Sequence, residues 1–278
     1  MQRAMLTVGA VAAAALIGLG AWWWWQQRVP LVLLPAPAAS APATPVAAAP
    51  PPASAASAPA IQYPIEPPVV DAAPKRPPDF PSALDDLFGS KAVSSMFQTQ
   101  EFARRFVATV DNLGRAHATQ RLWPLNPAGG RFTVEAQGEA KVIATDNGSR
   151  YAPYVTLIES VDLRRAVAWY ARLYPQLQQA YEQLGFPGRH FNDRLVEVID
   201  RLLSTPDVDA AAKVHLPVIN APVQPPRPWV LYEFDDPALE KLSSGQKILL
   251  RMGASNERRV KARLAELRRL LTAGSPPR

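Results

Sequence analysis

The chain has 278 residues, a formal net charge of +6 at pH 7 and no cysteine. Without thiols it has no cysteine nucleophile, no cysteine-ligated metal and no disulfide framework. Its 30 prolines are distributed unevenly, so the sequence divides into unlike parts before any element is assigned.

Ala4 to Trp25 is an uncharged apolar run of 22 residues. As a helix it would extend roughly 33 Å, enough for a hydrocarbon core of about 30 Å. Trp22 to Trp25 close the run, and Gln26, Gln27 and Arg28 follow. Indole rings favour the membrane interface. A cleaved secretory signal would need a shorter apolar core of about 7–15 residues and a small-residue site soon after. The run here is longer, and Ala36-Pro37-Ala38 has proline at its centre. The expectation is an uncleaved signal anchor, a transmembrane helix over 4–25 in contact with the lipid bilayer. Residues 1–3 would be a cytoplasmic tail, and everything past the helix would be exported to the periplasm. Only Thr7 is polar within the run. That argues against an energy-transducing anchor, because such spans carry polar or ionisable groups.

Residues 26–81 hold 16 of the prolines, mixed with Ala and Ser. Proline blocks helix interiors and central strands, so this stretch is expected to be a disordered linker. At up to about 3.1 Å per residue it could reach on the order of 150 Å.

Residues 82–272 are expected to form one α-rich globular domain, with 273–278 a disordered tail. Ser82 could cap a helix through Phe88, and Thr99 a longer one through Leu113 with Phe102, Phe106 and Val110 inward. Residues 115–130 lose periodicity around Trp123-Pro124-Leu125. Arg131–Glu135 and Ala140–Thr145 read as a β-hairpin about Gln137-Gly138, and Asp146-Asn147-Gly148 as a turn. Tyr151–Val161 predicts a helix with Tyr154, Leu157, Ile158 and Val161 inward. Asp162 caps the next, which contains Pro175 and ends at Gly185. Asn192 could cap a helix to Leu203. Residues 206–228, with six prolines, read as irregular. Trp229–Phe234 predicts a strand, Asp236-Pro237 a short helix, Ser244–Met252 another, and Asn256–Leu271 a last one capped by Ser255. The fold class expected is mainly α with a small antiparallel β element, α+β.

Several runs are distinctive: Tyr181-Glu182-Gln183-Leu184-Gly185-Phe186-Pro187, Phe191-Asn192-Asp193-Arg194-Leu195-Val196, and Gln246-Lys247-Ile248-Leu249-Leu250-Arg251-Met252-Gly253. With Val110-Asp111-Asn112-Leu113 and Trp169-Tyr170, they resemble a bacterial family catalogued as domain of unknown function number 3014, over about Leu84 to Leu271. The resemblance implies a Gram-negative-type envelope protein with a single-span anchor and an Ala/Pro tether. It implies no catalytic residues.

Four places could hold chemistry. Ser244-Gly245-Gln246-Lys247 matches S-x-x-K, in which a lysine helps deprotonate a serine. The companion S-D-N and K-T-G elements are absent, and Ser243 and Ser244 also serve as helix caps. Arg189, His190, Asn192, Asp193 and Arg194 sit at a helix start, where backbone amides and cations could hold an anion or a partner, or simply cap the helix. His117, His190 and His215 form no metal-ligating pair at helical spacing, so no metal or cofactor is implied. The last helix carries Arg258, Arg259, Lys261, Arg263, Arg268 and Arg269 against Glu257 and Glu266. This is either a solvated outer face or a basic surface for an anionic partner. Nucleic acid is not expected for an exported domain without a nucleic-acid motif.

The leading expectation is a single-pass, inner-membrane-anchored envelope protein. Its domain would be a non-enzymatic binding or scaffold module for another envelope protein or for the cell wall. The alternative is an enzyme acting on cell-wall material through the 189–194 loop or Ser244 and Lys247. That reading requires those groups to converge in one cleft.

Overall fold

The computed structural model describes residues 60–65, 79–208, 211–218 and 225–273. The expected anchor over 4–25, the cytoplasmic tail, most of the expected linker and residues 274–278 lie outside these. The chain divides into two units, Met1–Ala55 and Ala56–Arg278, and every described residue belongs to the second. Among the described residues, no helix is long and apolar enough to cross a membrane.

The domain begins earlier than Ser82. Helix α1 spans Phe80–Phe88 and is capped by Asp79, whose side chain accepts from the Ser82 amide at 2.8 Å. Pro81 sits in the first turn, where no N–H is needed. A short helix not anticipated from the sequence, α2, spans Ser90–Met96. It buries only Val93, so it leaves no apolar periodicity to read. Helix α3 spans Phe102–Leu113, entered through Glu101 in a left-handed conformation (φ 51°) rather than through a Thr99 cap.

The hairpin forms as β1 (Val134–Gln137) and β2 (Ala140–Ile143), antiparallel, with Val134 opposite Ile143. Gly138 takes φ 62° at the turn, which glycine adopts without steric cost. The turn expected at 146–148 instead starts helix α4, Asn147–Ser160. The Asn147 side chain explains the early start. It accepts from the Thr133 amide at 3.1 Å and donates to the Thr133 and Ala144 carbonyls. The inward face turns accordingly. Val155 is buried and Ile158 is 39% exposed, against the expected stripe, whereas Val161 is buried and Tyr154 and Leu157 are half-buried, as expected.

Helix α5 spans Leu163–Gln183, with Asp162 accepting from the Arg164 and Arg165 amides. It runs through Pro175 and ends before Gly185 at φ 106°. Helix α6 spans Phe191–Leu203 and is the centre of the domain, with seven of its 13 residues buried. After it come β3 (Val214–His215) and β4 (Glu233–Phe234), an antiparallel pair. The expected strand over 229–234 is therefore only partly one, since Pro228–Val230 is a 3-10 turn. Its partner is β3, and β3 meets the hairpin through a bridge between Val142 and Lys213. Helices α7 (Pro237–Glu240), α8 (Ser244–Arg251) and α9 (Ala254–Leu271) close the chain. Gly253, not Ser255, is at the start of α9.

The main core joins Val107 and Val110 of α3, Val155 of α4, Leu177 and Tyr181 of α5, the apolar face of α6, Leu249 of α8, and Val260 and Leu271 of α9. A smaller one joins Ile143, Val214, Phe234 and Leu250 beneath the strands. Helix α8 enters the main core at Gly245. A β-carbon there would lie 2.5 Å from Leu202 Cδ2 and 2.9 Å from the Leu113 carbonyl oxygen. Gly245→Ala is therefore expected to destabilise the domain by about 1–3 kcal/mol, although alanine is the better helix former by about 1 kcal/mol. Denaturant unfolding measures this. Unchanged or raised stability would mean that α8 does not sit against α3 and α6 as described.

Candidate functional site

The start of α6 is built from two sides. From α5, the Gln178 side chain accepts from the Phe191 amide at 2.9 Å and donates to the Arg189 carbonyl at 2.8 Å. The Tyr174 hydroxyl donates to Gln178 Oε1 and faces the Asn192 amide at 3.5 Å. The Tyr170 hydroxyl donates to Asn192 Oδ1 at 3.1 Å. Burial pushes the Tyr170 phenol well above its ordinary value, and burial raises Tyr174 as well. Both hydroxyls therefore stay protonated donors; Tyr170 fixes the fully buried Asn192 side chain, and Tyr174 steadies Gln178 and accepts from the Asn192 amide.

So oriented, Asn192 and Asp193 hold a segment from the far side of the sequence. Asn192 Nδ2 donates to the Tyr63 carbonyl at 2.8 Å. The Asp193 carboxylate accepts from the Tyr63 amide at 2.8 Å and from the Gln62 amide at 3.0 and 3.2 Å. Tyr63 and Ile65 pack against the main core. This strap, residues 60–65, falls in the stretch expected to be disordered linker, yet it lies on the domain. Hydrogen bonds to a charged acceptor are worth about 1.5–3 kcal/mol each, well above neutral ones.

The 189–194 cluster thus divides. Asn192 and Asp193 hold a polypeptide, and Asn192 lies inside α6 rather than capping it. His190 takes the cap position without a side-chain capping bond. Arg194 turns away from the helix start. Its Nε donates to Asp111 Oδ1 at 3.0 Å, and its guanidinium also meets the Asp111 carbonyl and Glu197. Arg189 is exposed, with its guanidinium 6.0 Å from the Phe186 ring. The cations do not converge on the helix start, and the amides of Phe191 and Arg194 are taken by Gln178 and the His190 carbonyl. The arrangement suits main-chain recognition rather than an anion.

The S-x-x-K pair is likewise resolved. Ser244 Oγ donates to the Asn112 carbonyl at 2.8 Å. Lys247, buried, donates to Glu240 Oε1 at 2.7 Å and to the Glu240 carbonyl. Ser243 and Gln246 form a reciprocal capping box. Serine and lysine therefore have separate structural partners. Burial pushes the Glu240 carboxyl up, but the Lys247 hydrogen bond, the Phe234 amide and the charges of Lys247 and Arg251 outweigh it, leaving the pKa lowered. Glu240 then adds stability above its unfolded-chain pKa that is lost as pH falls through the folded one. The stability difference between wild type and Glu240→Gln should close as pH falls below about 4.3. A difference constant between neutral and acid pH in denaturant titrations would contradict this.

The basic helix is mostly engaged within the domain. Arg259 pairs with Glu159 through two nitrogens, and Arg268 with Asp200 in the same way. Lys261 reaches Glu257 at 2.8 Å, Asp207 at 3.0 Å and the Thr205 carbonyl. Arg263 meets Glu266 and the carbonyls of Ile158 and Val161. Arg258 and Arg269 are exposed, and Arg258 bonds the Ala254 carbonyl. Four of the six cations thus fasten α9 to its surroundings and do not form one open basic surface. Among the described residues, no group of three or more His, Asp or Glu is placed to hold a metal ion.

Sequence reasoning found Asn192 and Asp193 but not the residues that give them their role: Tyr170, Tyr174, Gln178 and the strap. One signal was available. Tyr63 is the only aromatic residue between Trp25 and Phe80, and a lone aromatic in an Ala/Pro tract marks a place that can pay the entropy of docking.

A model of the family described as "Protein of unknown function (DUF3014)" matches residues 102–268. No curated protein and no solved structure matches the chain.

Proposed function

The chain belongs to the DUF3014 family of proteins of unknown function, and from that premise we propose that it is an envelope-anchored binding module. In this reading residues 4–25 hold it in the inner membrane as a single-pass signal anchor. The helical domain works in the periplasm, at the end of the proline-rich tether, as a non-enzymatic binding or scaffold unit. The observation that carries the binding role is the strap held by Asp193 and Asn192 through its main chain. A domain whose Tyr170 hydroxyl orients a buried asparagine to grip, with Asp193, a main chain bent at Gln62 and Tyr63 has the equipment of a binding module. The length of the apolar run and its tryptophan border support the anchor.

Two measurements test this. A reporter active only outside the cytoplasm, fused after Thr272, should give signal; silence would overturn the orientation. Crosslinking in intact cells with the full chain should capture a defined envelope component. Capture of none, together with activity of the full chain on wall fragments, would replace the binding reading with an enzymatic one.

A further inference from the structure

The strap fits its seat at the start of α6 through a bent main chain. It turns at Gln62 and Tyr63, so two successive N–H groups meet one carboxylate, that of Asp193. Successive N–H groups of an extended chain point to opposite sides and could not do this. Asn192 Nδ2 takes the Tyr63 carbonyl, and Tyr63 and Ile65 pack against the main core. The strap is thereby fastened to the first turn of α6, seven of whose 13 residues are buried. In chain order it stands between the proline-rich stretch and α1. A pull along the chain from the amino-terminal side therefore meets the strap before it meets α1. Helix α1 is poorly built to take that pull. It buries only Ala83 and Leu84. Its side chains reach the rest of the domain through Phe80 on Phe102 and through Asp86 on Arg165 and Trp169. Terminal elements with few buried contacts open first.

Resting on the reading of a domain tethered at one end and bound to a partner at the other, we infer that the strap is a reversible clasp on the tether. It passes the tether's pull into α6, shields α1, and yields before the domain does. It yields first because undocking residues 60–65 leaves the helices of the main core assembled, and local opening takes less free energy than global unfolding. Once it yields, residues 60–78 join the tether and lengthen it by no more than about 65 Å. The clasp recloses when the pull falls, because covalent attachment keeps the strap at an effective concentration on the order of 1 mM near its seat.

The chain has no cysteine, so Ser57→Cys with Ser275→Cys gives two unique handles for optical tweezers on the full chain. Wild-type strap and seat should show a first, reversible step of no more than about 65 Å, followed at higher force by unfolding of the domain. Asp193→Asn removes the charge that the two amides meet and should speed the first step at least tenfold at a given force. Tyr63→Ala/Ile65→Ala should abolish the step and lower the force at which the domain begins to open, because the pull then enters at α1. Moving the first handle to Ser82→Cys bypasses the strap. From there the chains with and without the strap substitutions should open at the same force. A single unfolding event with no earlier step, or a step unchanged by these substitutions, would overturn the clasp. A force lowered equally from both handle positions would overturn it in favour of a strap that only packs. The reporter fused after Thr272 separates the two readings. A missing step with an active reporter sinks the clasp alone, and a sound step with a silent reporter sinks the envelope reading alone.

Discussion

Phe191→Ala is expected to lower the free energy of unfolding by about 3–5 kcal/mol. Total stability of such a domain is on the order of 5–15 kcal/mol, so this single truncation threatens the fold. Phe191 is fully buried at the first position of α6. Its ring meets Phe106 edge-on at 6.1 Å and Tyr181 at 5.6 Å, and Tyr181 in turn stacks on Phe186 at 4.7 Å. Removing it opens a void among rings held by α3, α5 and the 186–191 loop, which cannot all close in together. The floor beneath Asn192 and Asp193, which hold the strap, would loosen with it. Ile158→Ala is the control. It replaces a residue of the expected inward stripe that the structure leaves outside, and should change stability by no more than about 0.5 kcal/mol. Thermal and denaturant unfolding followed by circular dichroism decide the comparison. If Ile158→Ala proves the costlier, the orientation of α4 is wrong.

Asp111→Ala should cost about 3 kcal/mol, near the lower end of what breaking a buried ion pair does. Asp111 is 4% exposed, and its carboxylate receives Arg194 Nε at 3.0 Å and Arg115 Nε at 2.8 Å. Truncation leaves the Arg194 guanidinium largely buried, with Glu197 at 2.8 Å as its remaining carboxylate. That surviving contact keeps the cost low in the range. Arg115 has a side chain 51% exposed, so Arg115→Ala should cost no more than about 1 kcal/mol. Replacing both buried partners, Asp111→Leu with Arg194→Met, should recover much of the loss, because the cost lies in the orphaned charge rather than in the missing attraction. Equal losses for Asp111→Ala and Arg115→Ala would refute the assignment of Asp111 as the buried partner. The outcome bears on the site as well, since Arg194 is adjacent to Asp193 on α6.

Much of the fold was legible because its cues are short-range. Asp162 before Leu163, Ser243 with Gln246, Asp236 before Pro237, and Gly138 between two alternating runs each announce a boundary within four residues. Where such cues competed, the reading slipped by a turn. Asn147-Gly148 looks like a turn, but the Asn147 side chain is held by Thr133 on the approach to β1 and starts a helix there. Helix α2 and strand β3 went unread because seven weakly apolar residues and a two-residue strand carry no periodicity. At the candidate site the residue types were visible and their purpose was not. Arg194, Lys247 and Arg259 look alike as free cations in a sequence, and each is committed to a particular carboxylate in the structure.

The sequence by itself determined the family, the mainly helical class, and the start and stop of α5. Those properties follow from chemistry repeated or paired within a few residues, where chain connectivity already brings the groups together. Only the tertiary structure decided that Tyr63 meets Asp193 across 130 residues, that Arg194 meets Asp111 across 83, and that Arg259 meets Glu159 across 100. A hydrogen bond acts over about 3 Å, and nothing in a linear spacing says which distant group will arrive within that reach. The packing of α6 against α3, α5 and α9 says so, and it converts a polar helix start and a stretch of tether into a seat and its strap.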